Sequence, residues 1–186
     1  MARTVYLYDP PDRFVVGTVG QPGERVFFVQ ARAGARITSV VIEKEQAELL
    51  AEKTLELLDE VTRRHPEVLS TTELAAVEDI DPLDTPVTED FRAGALGLGW
   101  NAVTDRVIIE AHAGGADDVP DIEDDSDDNA PECLRVRLTA AAARSFARRA
   151  ERVVAAGRPP CPFCHLPPDP DGHICPRANG YRRCPC

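Results

Sequence analysis

The sequence predicts an α+β protein, built from two pseudo-repeated ββ-β-α units that form a mainly antiparallel sheet with helices on one face, followed by a small C-terminal zinc module. Three observations predict it. Short, turn-bounded apolar runs lead twice into a long amphipathic helix, the two halves of the chain align with each other, and five of the six cysteines fall in the last 26 residues.

Residues 4–8 alternate and stop at Asp9-Pro10-Pro11, residues 14–19 stop at Gly20-Gln21-Pro22-Gly23, and residues 25–32 form an apolar and aromatic run. Each is a strand bounded by turn residues. After Ala33-Gly34 a strand at about residues 36–42 feeds a helix at about residues 44–64. Its apolar positions, Ala47, Leu50, Ala51, Thr54, Leu57, Leu58 and Val61, recur every three or four residues. His65-Pro66 ends it, because the residue before a proline is pushed out of helical geometry. The acidic connector at residues 66–90 carries Pro66, Pro82 and Pro86, with one short helix expected around residues 72–77. Its apolar positions, Leu69, Leu74, Val77, Ile80 and Leu83, suffice to pin it to the core surface.

The second half repeats the first. Residues 24–28 align with 105–109 at an offset of 81, and residues 40–42 align with 136–138 at an offset of 96. At the second offset the helices superpose core on core: Ala47 on Ala143, Leu50 on Phe146, Ala51 on Ala147, Leu57 on Val153 and Leu58 on Val154. The difference of 15 residues is an insertion, at about residues 116–130, before the last strand of the second unit. The organisation that follows is a duplicated body over residues 1–157 and a tail over residues 158–186. Within the body, repeat 1 spans about 12–65, the connector 66–90 and repeat 2 about 91–157, and the two units are expected to pair about a pseudo-twofold axis. The insertion, with Asp117, Asp118, Asp121, Glu123, Asp124, Asp125, Asp127 and Asp128, is expected to be a mobile solvated loop, since its carboxylates repel one another and few apolar residues accompany them. It begins like a calcium loop at Asp125, Asp127 and Asn129, but Ala130 and Val136 stand where that loop needs glycine and glutamate.

The chain carries 21 basic and 32 acidic residues, a net charge of −11, which disfavours generic binding to nucleic acid or to an anionic membrane. No apolar run approaches the about 18 residues of a membrane span, and the N-terminus lacks the apolar stretch of a secretion signal. A cytoplasmic protein is expected, in which clustered cysteines hold metal rather than form disulfides. Charge is divided unevenly: residues 132–186 carry +6 and residues 1–131 carry −17. Arg144, Arg148 and Arg152 lie four apart on the second helix, with Arg149 beside them, as a solvated face or as a basic surface for nucleic acid or a phosphorylated partner. No aromatic residue interleaves with them, so a base-stacking platform is not supported.

In the tail, Cys161 and Cys164 form a C-x2-C knuckle, and Asp169-Pro170-Asp171-Gly172 can turn the chain so that His173 and Cys175 return to it. That set suits one tetrahedral Zn2+ at bond lengths of about 2.0–2.3 Å, and a full shell implies a structural ion. His165, Cys184 and Cys186 compete for the same four places. Cys133, at the start of a core strand, reads as a buried small hydrophobe.

The opening R-T-V-Y-L-Y-D-P-P-D-R-F-V-V-G-T-V-G-Q-P-G, the segment A-L-G-L-G-W-N and the ending C-P-F-C-H-L-P-P-D-P-D-G-H-I-C-P-R-A-N-G-Y are similar to an actinobacterial family classed as a domain of unknown function, with a zinc-ribbon-like tail. The similarity runs to about Arg183. By resemblance it supports Cys161, Cys164, His173 and Cys175 as the zinc ligands; the chain departs from the family at His165, Cys184 and Cys186. The resemblance implies no activity. Members are often encoded beside a phosphoglycerate-mutase-like phosphatase and a kinase-like protein, which implies a shared complex or pathway.

Two further places bear on chemistry. Glu110 and His112 share a strand face by their spacing of two and form a possible acid/base pair for a phosphoester hydrolase or transferase, set against an ordinary surface histidine at a strand end. The stretch A-G-A-L-G-L-G-W-N at residues 93–101 lacks the third glycine and the helix of a dinucleotide site, so it reads as a glycine-bearing strand with Trp100 in the core. The expectation is therefore a non-enzymatic interaction or adaptor protein with a structural Zn2+ and an unidentified protein partner. A hydrolase or transferase using Glu110 and His112 is the first alternative. A nucleic-acid-binding protein using Arg144, Arg148, Arg149 and Arg152 is the second.

Overall fold

A computed structural model describes residues 3–21, 23–64, 79–115 and 120–156. The tail with Cys161, Cys164, His165, His173, Cys175, Cys184 and Cys186, and the short helix expected around residues 72–77, lie outside the described residues. The elements are β1 (Val5–Tyr8), β2 (Arg13–Val19), β3 (Val26–Ala33), β4 (Arg36–Ile42), α1 (Lys44–Arg64), β5 (Phe91–Asn101), β6 (Arg106–Ala113), β7 (Cys133–Leu138) and α2 (Ala140–Ala155). Among these residues no helix is long and apolar enough to cross a membrane.

Local chemistry accounts for the bounds. Ala33 pairs with Arg36 across a two-residue turn in which Gly34 sits at φ 59°, so β3 and β4 close as a tight hairpin. At the start of α1 the Gln46 side chain accepts the Glu43 backbone N–H at 2.8 Å, half of a capping box. At the start of α2 the Thr139 hydroxyl accepts the Ala142 N–H at 3.2 Å. Ala47, Leu50, Ala51, Thr54, Leu58 and Val61 are the buried face of α1; Ala140, Ala143, Phe146, Ala147 and Ala150 are that of α2.

The seven strands form one mixed sheet in the order β1-β7-β6-β5-β4-β3-β2. Within β2-β3-β4 and within β5-β6-β7 the pairing is antiparallel; β4 meets β5 in parallel, as β1 meets β7. A pseudo-twofold between the two units would place equivalent strands side by side at the seam. Instead the last strand of the first unit meets the first strand of the second, so the expected twofold pairing is replaced by a side-by-side succession of strands. The seam is short, with only Val40↔Phe91 and Val41↔Arg92 in register. The parallel edge strand β1 has no counterpart in the alignment of the two halves.

The sheet is strongly curled. Residues 9–12 alone join its two edge strands, and five steps of extended chain reach at most about 18 Å, whereas six interstrand spacings laid flat need about 29 Å. Across the concave side the Tyr8 hydroxyl meets Thr38 Oγ1 of β4 at 2.8 Å, Arg36 stacks over the Tyr8 ring at 4.0 Å, and Tyr6 stacks on Phe91. The rest of that side is filled by α1 and α2, which touch each other. Phe14 and Phe146 stack there with centroids 4.5 Å apart, among Val16, Val29, Val40, Ile42, Val107, Ile109, Leu134, Val136 and Leu138. Each fully buried side chain of this size contributes about 1.5–3 kcal/mol, so this layer supplies most of the drive to fold. Trp100 packs at its margin, partly buried.

The opposite face is covered in two halves by chain without regular structure. Over β2-β3-β4 lies the connector: Leu83 joins Val15, Phe28 and Val41 in a second apolar cluster, with Val87 against it. Gly17 makes room, since a Cβ there would lie 2.5 Å from Leu83 Cγ. Over β5-β6-β7 lies the acidic insertion.

Candidate functional site

In β6 and β7 alternate residues face opposite ways, and the two strands differ sharply between faces. Val107, Ile109, Ala111, Leu134, Val136 and Leu138 enter the core under the helices. Ile108, Glu110 and His112 face the other way, where the register sets His112 opposite Cys133, Glu110 opposite Arg135 and Ile108 opposite Arg137. One face of an antiparallel pair is ordinarily solvated. Here Glu110, His112 and Cys133 are all 0% exposed and Arg135 3%, because the insertion lies across them.

The insertion is therefore docked over its described residues, not the mobile loop its composition suggests. Ile122 rests on the bare backbone of β5, and a Cβ at Gly99 would lie 3.1 Å from Ile122 Cδ1. The Glu123 N–H donates to Glu110 Oε1 at 3.1 Å. Arg135 grips the Asp125 carboxylate with two bonds of 2.9 and 3.0 Å while its Nε donates to Glu110 Oε1. Arg137 holds Glu123 at 2.7 Å and Asp9 at 2.8 Å. From the N-terminal side Arg3 donates to Asp124 O at 2.7 Å, Asp125 at 3.2 Å and Pro131 O at 3.2 Å. Two of the insertion's carboxylates, Glu123 and Asp125, are thus answered by arginines of the sheet or its edge.

Inside this lid His112 Nε2 lies 2.9 Å from Glu110 Oε2 and 3.9 Å from Cys133 Sγ, and Arg3 Nη2 lies 3.5 Å from His112 Nδ1. An arginine can only donate, so the contact at Nδ1 fits the tautomer in which Nε2–H donates to Glu110. Burial pushes the Glu110 carboxyl up, but the hydrogen bonds from His112, Arg135 and the Glu123 N–H outweigh it and hold the group below its ordinary value. Burial, reinforced by the nearby Glu110 charge, pushes the Cys133 thiol up to about 12. Glu110, His112 and Cys133 each offer one ligand atom, all within 4.8 Å of one another, and such a group could hold a metal ion.

The expected acid/base pair is thus real as a contact, but it is not a surface feature. Glu110 is a fully buried carboxylate held below its ordinary value and engaged on both oxygens, with no solvent-exposed side from which to take a proton. Cys133 is buried as expected, yet its neighbours are a histidine and a glutamate, not an apolar shell. Of the arginines on α2, Arg149 leaves the expected solvated or nucleic-acid-binding face altogether. It is buried, donating to Val16 O at 2.8 Å, Asp79 O at 2.7 Å, Asp79 Oδ1 at 2.6 Å and Asp81 O at 2.6 Å. With Arg13, which grips Asp79 at 2.6 Å and Asp84 at 2.9 Å, it pins the connector to the body. Arg144 is half-buried, 3.7 Å from Asp59 of α1. Arg148 and Arg152 are exposed.

The sequence carried one usable signal for the buried network. β6 reads R-V-I-I-E-A-H-A and β7 reads C-L-R-V-R-L, each apolar on one face, with Glu110 and His112 on the other face of β6 and Cys133, Arg135 and Arg137 on that of β7. Pairing the two ionisable faces requires the register, which sequence spacing within one strand does not contain.

A family model described as "Protein of unknown function (DUF3090)" matches residues 6–175 of the chain. No curated protein and no solved structure matches it.

Proposed function

The chain belongs to the DUF3090 family, and from that premise we propose a non-enzymatic interaction or adaptor protein of the cytoplasm, made of a duplicated α+β body (residues 1–157) and a tail (158–186) folded by one structural Zn2+. The observation that carries the non-enzymatic reading is the state of Glu110 and His112. Both are fully buried, the carboxylate is occupied on both oxygens, and the imidazole is bonded on both nitrogens. A general acid or base must reach the proton it transfers from a substrate, and among the described residues these two meet each other, the buried Cys133 thiol, arginines and main chain, with no exposed side.

The tail ligands are Cys161, Cys164, His173 and Cys175. Support comes from the spacing and from the family match, which spans all four and stops before Cys184 and Cys186. The contact surface is the tail, basic at Arg177, Arg182 and Arg183, together with the exposed end of α2 at Arg148 and Arg152. The partner is a protein; the phosphatase-like and kinase-like products encoded beside similar chains are the first candidates. Nucleic-acid binding through α2 is disfavoured, because Arg149 is spent on the connector and Arg144 lies beside Asp59.

The test is affinity purification of the tagged full chain from its native cytoplasm, beside a Cys161→Ser/Cys164→Ser variant and an Arg148→Glu variant. A protein recovered in stoichiometric amount with the parent chain and lost from either variant supports the reading. Phosphoester turnover by the purified chain that disappears in Glu110→Gln overturns it in favour of an enzyme. Salt-sensitive nucleic-acid binding that weakens in Arg148→Glu overturns it in favour of the second alternative.

A further inference from the structure

Glu110, His112 and Cys133 are three different metal-ligating side chains, and they converge from two adjacent strands, the end of β6 and the start of β7. The i, i+2 spacing on β6 and the cross-strand register with β7 bring them together, so backbone rigidity holds the set. In a tetrahedral shell with bonds of about 2.0–2.3 Å, neighbouring ligand atoms stand about 3.3–3.8 Å apart. Two of the three separations, 2.9 Å between His112 Nε2 and Glu110 Oε2 and 3.9 Å between His112 Nε2 and Cys133 Sγ, bracket that range, and the third, between Glu110 and Cys133, is within 4.8 Å. Small side-chain rotations convert one arrangement into the other.

The surrounding groups fit a liganded state as well. Glu110 Oε1 is held by Arg135 and by the Glu123 N–H, which leaves Oε2 directed to the site. Ligating carboxylates are commonly oriented in this way by hydrogen bonds from the next layer of groups. Arg3 is a misfit: when Nε2 presents its lone pair to an ion, Nδ1 carries the proton, and a guanidinium 3.5 Å away then faces a donor. Arg3 already has other acceptors at Asp124 O, Asp125 and Pro131 O, so it can leave Nδ1 without leaving the lid. Arg3 and a cation also carry the same sign. They compete for the carboxylate-rich surroundings made by Glu110 and Asp125.

We propose that Glu110, His112 and Cys133 are a second metal centre, separate from the tail, which takes one divalent ion of the Zn2+ class and from which Arg3 withdraws as the ion enters. The mixed O, N and S donor set selects a borderline-soft ion over Mg2+ or Ca2+, which require all-oxygen shells. Binding releases the Cys133 thiol proton to solvent, and the S–metal bond replaces the S–H bond. Three protein ligands leave one position for a non-protein ligand, and the ion would join β6 to β7 beneath the insertion.

The experiment uses the full chain with Cys161, Cys164, Cys175, Cys184 and Cys186 all changed to serine, so that Cys133 is the remaining thiol, with Co2+ as the probe and circular dichroism as the check on folding. One equivalent of bound Co2+ with a thiolate-to-cobalt charge-transfer band is the expected result. Adding Arg3→Ala is expected to tighten binding about tenfold, the usual scale of an effect from groups around the ligands. No stoichiometric Co2+ binding by the folded variant, or binding without the thiolate band, overturns the centre; unchanged affinity in Arg3→Ala overturns the competition. Should the five-serine variant fail to fold, Zn2+ content of the otherwise unaltered chain decides: His112→Asn is expected to lose one equivalent, and retention of all of it overturns the proposal. The difference in Zn2+ content between parent and five-serine chains reports on the tail separately.

Discussion

The two halves of the sheet's outer face are each closed by an acidic, irregular stretch of chain held by arginines, yet they are built on opposite principles. Over β2-β3-β4 the connector brings its own apolar residue, Leu83, to Val15, Phe28 and Val41, and the arginines that pin it, Arg13 and Arg149, grip largely main-chain carbonyls and Asp79 at the rim. Over β5-β6-β7 the insertion sets Ile122 on glycines, and what it seals is a layer of Glu110, His112, Cys133 and Arg135. The first half is held by burial of hydrocarbon with charge as a clamp. The second buries the charge itself, which costs several kcal/mol per ion unless every partner is in place. Expensive burial of ionisable groups is a mark of a site, and the metal centre proposed above lies in this second half.

The sharpest way to break this comparison is to remove one partner from each half. Arg135→Ala leaves Glu110 buried and ionised and is expected to cost about 3–5 kcal/mol in denaturant unfolding, the cost of a broken buried pair. The double change Arg135→Ala/Glu110→Ala should recover part of that loss, which a merely additive pair would not do. Arg149→Ala strips donors from Val16 O, Asp79 and Asp81 O but leaves no lone charge in the interior, and about 2–3 kcal/mol is expected. If Arg149→Ala proves the costlier of the two, the contrast between the halves is wrong. Leu83→Ala is expected to cost about 2 kcal/mol through the cavity beside Gly17, with hydrogen exchange speeding up over residues 79–87 and not over β6 or β7. Ile122→Ala should cost about 1 kcal/mol; its signature is loss of protection at the Glu123 amide that bonds Glu110.

Acid is expected to loosen both coverings by smaller steps. Hydrogen bonds from Arg13 hold the Asp79 carboxyl below its ordinary value, and those from Arg135 do the same for Asp125. A carboxylate whose folded value lies below its unfolded one contributes its full stability above the unfolded value and loses it as pH falls through the folded one. Exchange protection over residues 79–84 and 120–126 should therefore be level at neutral pH and fall below about pH 4. Protection that falls instead on the alkaline side would remove these ion pairs from the account.

Much of the chain's organisation is legible in its sequence. Both helices, the strand bounds to within a few residues and the mixed α+β class follow from period-2 and period-3.6 patterns punctuated by Asp9-Pro10-Pro11, Gly34 and His65-Pro66. All of these are local signals, decided by the conformational preferences of neighbouring residues. The spacing of Glu110 and His112 also showed that they share a face.

What their sequence did not disclose is everything non-local. That β4 meets β5 and β1 meets β7, and that Cys133 and Arg135 stand opposite His112 and Glu110, are matters of strand order and register. That the insertion docks depends on four positions far apart in the chain, Arg3, Gly99, Arg135 and Arg137, whose charges and bare backbone answer its carboxylates and Ile122. Composition registers the repulsion among those carboxylates, but the compensating charges arrive only with the fold. Tertiary structure turned a solvated loop and a surface histidine into one sealed cluster, because the free energy of an ionisable group depends on what is brought within a few ångströms of it and not on its neighbours along the chain.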